Sequence, residues 1–153
     1  MITIRKATLN DREIILFGNL AMARETEGKV LDSQVVRQGV TALLSDARKG
    51  VYYLAEINGK IAGQLMITTE WSDWRNREFW WIQSVYIHPE FRRQGIYSAL
   101  HTEIRSLARR AGNVCGLRLY VDKQNRLAQK TYASQGMVPA HYDLYEEDWA
   151  LHS

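Results

Sequence analysis

The chain has 153 residues, 46% of them hydrophobic and 24% charged, and a net charge of +3. That length suits one domain with a real core, so a single domain over residues 1–153 is the expectation. The lone cysteine, Cys115, excludes an internal disulfide and a cysteine zinc cluster, and no apolar run approaches a membrane span or a signal-peptide core. A cytoplasmic protein is therefore expected, with no membrane partner and no metal.

Ile2 to Ala7 alternates as a short strand. Asn10 and Glu13 have capping-box spacing, and a helix follows to about Arg24, broken by Glu25-Thr26-Glu27-Gly28-Lys29. A second helix starts near Asp32 or Ser33, carries Val36, Val40, Leu43 and Leu44 at helical spacing, and stops near Gly50. Val51–Ile57 and Lys60–Thr69 flank Asn58-Gly59, a two-residue hairpin signal. A polar loop from Glu70 to Arg77 precedes a long aromatic and β-branched strand, Glu78 to His88. Beyond Pro89 the period changes, and Ile96, Leu100, Ile104, Leu107 and Ala111 mark a helix ended by Gly112. Gly116–Val121 reads as a strand, Asn125–Gln135 as a helix closed by Gly136, and Met137–Tyr145 as one or two last strands. The order βααβββαβαβ, with room for one more strand, predicts an α/β (α+β) fold: a mixed central sheet of six to seven strands with helices on both faces.

Charge is unevenly spread. Between Phe91 and Lys130 the basic residues face only two acids, Glu103 and Asp122, whereas no Lys or Arg follows Thr131. A basic middle segment suggests a phosphate-bearing partner. Within it, Arg92-Arg93-Gln94-Gly95-Ile96-Tyr97 lies between a strand and a helix start. The first amides of a helix lack acceptors within the helix, and its dipole favours an anion there. Gly95 lets the backbone approach a ligand, and the two arginines add charge. A solvated charged loop is the plainer alternative. Dinucleotide-binding and P-loop patterns need glycines that are missing, and no DNA- or RNA-reading motif is present, so no nucleic-acid partner is expected.

These residues resemble the GNAT superfamily of acyl-CoA N-acyltransferases. Its cofactor motif, Arg/Gln-x-x-Gly-x-Gly/Ala, is matched by Arg92 and Gly95, while Tyr97 stands where a small residue is usual. The preceding Val85-Tyr86-Ile87-His88-Pro89 resembles the strand whose backbone pairs with the pantetheine arm. Asn125, Ala128 and Tyr132, followed by Gly136-Met137, resemble the family's downstream helix, at i, i+3 and i+7 on one face. The resemblance covers essentially the whole chain. It implies binding of acetyl-CoA by Val85, Tyr86, Ile87, Arg92, Arg93, Gln94, Gly95, Ile96, Tyr97, Asn125, Ala128 and Tyr132.

The implied reaction is N-acetylation of a primary amine of a small molecule or peptide by direct attack on the thioester. Tyr132 would be the general acid toward the sulfur, and amides near Val85 to Ile87 would polarise the carbonyl. Some relatives carry a Glu base on the central strand, at a position occupied by Trp81. Glu25, Glu27 and Glu78 are the candidate base or acceptor contacts, with Glu70 and His88 further candidates by location. The acceptor groove is expected between residues 25–32 and the central strand, with either Trp80 or Trp81 on its wall. A non-catalytic acyl-CoA-binding sensor of the same fold is the alternative. Relatives are often dimers, so the resemblance also admits a homodimer.

Overall fold

The computed structural model describes residues 1–150. Two compact units are distinguished, Met1–Tyr120 and Val121–Ser153.

The first unit is a sheet of five strands in chain order: β1 (Ile2–Lys6), β2 (Val51–Ile57), β3 (Lys60–Ser72), β4 (Arg77–Ile87) and β5 (Val114–Leu119). The first three pairings are antiparallel, and β5 runs parallel to β4. Helices α1 (Arg12–Glu27) and α2 (Ser33–Leu44) cover one face, and α3 (Ile96–Ala111) covers the other. Strand alternation divides the core accordingly. Tyr52 and Leu54 pack with Ile15, Val40 and Leu43 below α1 and α2. Tyr53, Ala55, Leu65, Ile67 and Ile82 pack with Ile96, Leu100 and Ile104 of α3.

The mixed sheet with helices on both faces is as expected, but the described residues form five strands, not six to seven. The missing element is Met137–Tyr145, which belongs to no ladder. Its Pro139 has no N–H to donate, and Val138, Tyr142, Leu144 and Tyr145 are all exposed, so no buried face holds it in a register. The second unit instead holds α4 (Arg126–Ser134).

Several boundaries also differ: α2 ends at Leu44 rather than near Gly50, and β5 runs Val114–Leu119 rather than Gly116–Val121. The first helix is entered through a 3-10 turn, and its capping box is Thr8 with Asp11: the Thr8 N–H donates to Asp11 Oδ2 at 2.7 Å, and Asn10 N–H donates to Thr8 Oγ1. Asn10 and Glu13 do not form one. Arg5 clamps Asp11 through both terminal nitrogens at 2.9 Å, which fixes that turn against β1. Helix α1 runs through Glu25 to Glu27, where left-handed Gly28 (φ 65°) closes it by donating to Ala23 O and Arg24 O. The β3–β4 hairpin is also tighter than expected, because Glu70, Trp71 and Ser72 pair with Phe79, Glu78 and Arg77.

Candidate active site

The site begins with a broken ladder. β4 pairs with β5 from Glu78 to Ile82, and beyond Ile82 only β3 accompanies it. From Gln83 to Ile87, roughly 16 Å of strand at ~3.3 Å per residue, one edge of β4 is left open within this unit. His88 N–H donates to Ala62 O at 2.9 Å across the β3 ladder. Antiparallel alternation then turns the Val85 and Ile87 amides away from β3, toward the open edge.

A bulge lies within the same stretch. Register with β3 shifts between Gln64 and Met66, opposite Ser84, whose φ is 51°. The extra residue reverses the side-chain alternation. Before it, Trp80 and Ile82 face the α3 core, while Trp81 and Gln83 face the α1/α2 side. After it, Val85 and Ile87 pack on the α3 core, and Tyr86 and His88 face α1.

β4 leads through a 3-10 turn, Pro89–Phe91, into the loop before α3. Arg93 (φ 63°) and Gly95 (φ 76°) are both left-handed. Gly95 is the N-cap of α3 and contributes no side chain, so the helix's first amides are presented by backbone alone. Apart from its own chain neighbours, no heavy atom of the described residues lies within 4 Å of the place a Gly95 Cβ would take. The tip is thus open, cationic through Arg93 and at the positive end of a 16-residue helix. These features fit a diphosphate.

Arg92 is engaged elsewhere. Its Nε donates to Ile87 O and its Nη2 to Glu25 Oε1, each at 2.9 Å, and its guanidinium lies over the Tyr86 ring. Tyr86 Oη donates to Glu25 Oε2 at 2.8 Å. Glu25, in the last turn of α1, therefore ties the end of that helix to β4 and to the loop before α3. Bonds from Arg92 and then Tyr86 hold its carboxyl below the ordinary range, the opposite of what a base near neutrality needs. His88 is buried, stacked on Phe17 and edge-on to Tyr86. Burial pushes its imidazole pKa down, so it is neutral, but Nε2 is shielded and has no partner among the described residues.

The remaining carboxylates are dispersed. Glu27 is exposed at the end of α1, 3.5 Å from Lys29 Nζ. Glu78 sits on the α3 face beside Trp80, at a cavity of about 130 Å³, and roughly 23 Å along the strand from Val85 at ~3.3 Å per residue. Glu70 is across the sheet from it: its Oε1 accepts from Trp81 Nε1 and Arg118 Nη1, each at 2.9 Å. Those donors, Trp81 first, hold its carboxyl low. Trp81 and Tyr120 lie 4.9 Å apart, and Gln83 Nε2 donates to Thr68 Oγ1. Trp81 thus forms the aromatic wall on the α1/α2 face, and Trp80 belongs to the core.

In the second unit, Asn125 caps α4 by accepting from Ala128 N–H at 3.1 Å. Asn125, Ala128 and Tyr132 share one half-buried helix face, whereas Leu127 is exposed. Burial pushes the Tyr132 phenol up. Among the described residues no group of His, Cys, Asp or Glu could hold a metal, and no helix is long and apolar enough to cross a membrane.

The model of the acetyltransferase (GNAT) family matches residues 21–137. The chain belongs to that family. A solved structure of a possible acetyltransferase from Clostridium difficile 630 is 45% identical over 99% of both chains, with a TM-score of 0.91. A "predicted acetyltransferase with acetyl-CoA from Clostridium acetobutylicum" superposes with a TM-score of 0.78 at 19% identity, over 96% of each chain. A ribosomal-protein-alanine N-acetyltransferase from Brucella melitensis biovar Abortus 2308 gives 0.76 at 19%, covering 98% of this chain and all 100% of its own. The last two show the shared fold. No curated protein matches.

For a GNAT chain, the features that sequence reasoning overlooked are the bulge at Ser84, on the stretch of β4 that β5 does not pair, and the buried polar group Asn19, Tyr52 and Gln64. A signal existed. Asn19 sits on the stripe Ile15-Asn19-Ala23, which is otherwise apolar, and Gln64 interrupts a buried strand. A polar residue on a core face needs a partner.

Proposed function

We propose that the protein transfers the acetyl group of acetyl-CoA to a primary amine of a small molecule or peptide by direct attack on the thioester. The open, bulged edge of β4, leading straight into the cationic tip of α3, carries this reading. A pantetheine arm is a strand-like chain of amides and suits an edge whose Val85 and Ile87 groups face outward. The amides of Gln94 to Tyr97 would take the diphosphate, with Arg93 adding charge. An outward amide is also the donor that a thioester carbonyl needs as charge develops on it.

Tyr132 would protonate the departing thiolate. A phenol whose pKa is raised by burial keeps its proton at neutral pH, which is the state the role requires. Asn125 and Ala128 place the tyrosine by starting its helix. Glu25 and Glu70 are held as anions by their partners and would attract and orient a cationic amine rather than deprotonate it. The amine's proton would leave through water, with Gln83 ordering one molecule. Trp81 and Tyr120 offer π-faces to the same cation. The family match runs from residue 21 to residue 137 across both compact units, which supports their acting as one domain. A reducing cytoplasm suits the lone Cys115.

The test is release of free thiol from acetyl-CoA with a panel of amines, alongside calorimetry. Acetyl-CoA binding with amine-dependent thiol release supports the reading. Binding without turnover on any amine would make the protein an acyl-CoA sensor, and absence of binding would overturn both. Tyr132→Phe should leave acetyl-CoA affinity within about twofold and slow turnover about a hundredfold, the usual scale of a lost general acid.

A further inference from the structure

Tyr97 brings a large side chain to the rim of an open helix tip. It is the second residue of α3, so its backbone belongs to the turn whose amides have no acceptor within the helix. Helical side chains lean toward the N-terminal end. A ring at this position would lean over the amides that Gly95 leaves uncovered. Here it does not: no side-chain atom of Tyr97 comes within 4 Å of the place a Gly95 Cβ would take.

The ring is held one turn into the helix instead. Tyr97 Oη lies 2.9 Å from His101 Nδ1, and the two rings meet edge-on with centroids 5.5 Å apart. Arg105 Nη2 is 3.1 Å from His101 Nε2. A guanidinium can only donate, so Nε2 accepts and carries no proton. The neutral imidazole therefore has its proton on Nδ1 and donates it to Tyr97 Oη. Tyr97, His101 and Arg105 follow one another at intervals of four residues along one side of α3. His101 is fully buried, like Leu100 and Ile104 beside it, and cannot swing out to solvent. An imidazole is a costly core residue, because both nitrogens need partners. Both have them, and one of those partners is the side chain next to the tip.

We propose that His101 is a positioning residue that draws the Tyr97 phenol back along α3 and so keeps the helix tip open to the diphosphate of acetyl-CoA, with Arg105 fixing the tautomer that does so. The inference rests on the acetyl-CoA reading above. It assigns to His101 an effect on acyl-CoA recognition, separate from its packing.

The experiment measures the acetyl-CoA dissociation constant by calorimetry, with melting temperature in parallel, for wild type, Tyr97→Phe, His101→Phe, Tyr97→Ala and the Tyr97→Ala/His101→Phe double variant. Tyr97→Phe keeps the ring and removes the hydroxyl that His101 holds. His101→Phe keeps a buried ring and removes both nitrogens. Each should weaken acetyl-CoA binding about threefold to tenfold, the scale of one lost hydrogen bond. Alanine cannot cover the tip. Tyr97→Ala should bind within about twofold of wild type, and adding His101→Phe to it should change affinity by less than about twofold, even where both proteins melt earlier. An unchanged affinity in Tyr97→Phe, whatever its melting temperature, would overturn the proposal. So would an equal loss from His101→Phe in both backgrounds, which would show that it acts through the helix rather than through Tyr97. A tenfold loss in Tyr97→Ala would also overturn it, by making the phenol a ligand contact. A wild-type protein with no acetyl-CoA affinity would overturn the functional reading itself, an outcome visible before any variant is made.

Discussion

Gly18→Ala separates local helix preference from the polar network. Gly18 lies inside α1, where alanine ordinarily gains about 1 kcal/mol. Its added methyl would fall 2.5 Å from Gln64 Oε1 and 2.9 Å from Nε2. The Gln64 carboxamide is fully buried and cannot turn aside without giving up its bond to Asn19. Unpairing a buried amide costs about 1–3 kcal/mol, and the overpacking adds about 1–3 kcal/mol. Against the helix gain, the net is a loss of about 1–5 kcal/mol, and its middle value of about 3 kcal/mol lowers the melting temperature by ~6–12 °C for a domain of this size. Urea and thermal melts of the full chain measure it. The same substitution in a Gln64→Ala background should reverse sign and stabilise, because the obstructing amide is gone. A Gly18→Ala protein that melts at or above the wild-type temperature would refute the reasoning, since helix propensity alone would then decide the site.

Three more outcomes follow from charged and titrating groups. His101 of α3 is fully buried between Tyr97 Oη, 2.9 Å from Nδ1, and Arg105 Nη2, 3.1 Å from Nε2, and burial with the Arg105 charge pushes its pKa down to about 4. The unfolded chain takes up that proton near 6.5, so stability falls as pH drops from 6.5 toward 4, by up to about 3 kcal/mol; urea melts of His101→Gln should show a flatter pH dependence than wild type. Asp11 has the familiar carboxylate sign: the Arg5 hydrogen bond holds its pKa below 3.8, so its contribution is present above that value and fades as pH falls through the lower folded one. Asp11→Asn should destabilise by about 2 kcal/mol at pH 7 and by much less near pH 2, read by denaturant titration at both. For Glu25, already ionised well below neutrality, Glu25→Gln should leave the midpoint of any basic limb between pH 6 and 9 in the kcat/KM profile unmoved, whereas a shifted midpoint would make Glu25 the base.

Features set by short-range chemistry were legible in the sequence. Asp32 was foreseeable as the start of α2, because an aspartate before an apolar-periodic run can accept from the next amides, as it does from Gln34 and Val35. Asn58-Gly59 was foreseeable as a hairpin, because both residues tolerate the positive φ values found there. The loop before α3 was legible for the same reason, through Gly95. What could not be read off involved partners far apart in the chain. Glu25 and Arg92 are separated by 67 positions, and no local pattern announces that the first arginine of the motif is occupied by a carboxylate. Thr8 and Asp11 were passed over for Asn10 and Glu13, since both pairs have acceptable spacing and only Arg5, on the adjacent strand, favours the former. Met137–Tyr145 has the alternation of a strand, yet alternation specifies only a face, and a strand also requires a ladder.

The bulge shows why a long-range feature had to set the site. Side chains of a strand alternate strictly, so a regular β4 continuing from Trp81 and Gln83 would put Val85 and Ile87 on the α1/α2 face. Tyr86 and His88 would then enter the α3 core, where the neighbours are Leu65, Ile96 and Leu100. The extra residue exchanges the two sets. Val85 and Ile87 seal the core beneath α3, which holds that helix against the strand, while Tyr86 reaches Glu25 on the other side. Arg92 then spans from Glu25 to Ile87 O, fixing the loop that ends at Gly95 relative to the strand end. Two constraints therefore meet within the dozen residues from Ser84 to Gly95: apolar packing sets the height of α3 over the sheet, and a hydrogen-bonded ion pair sets how far its tip stands from the open amides. A ligand that binds both the edge and the tip must match that separation, and Ser84 is the residue at which the matching begins.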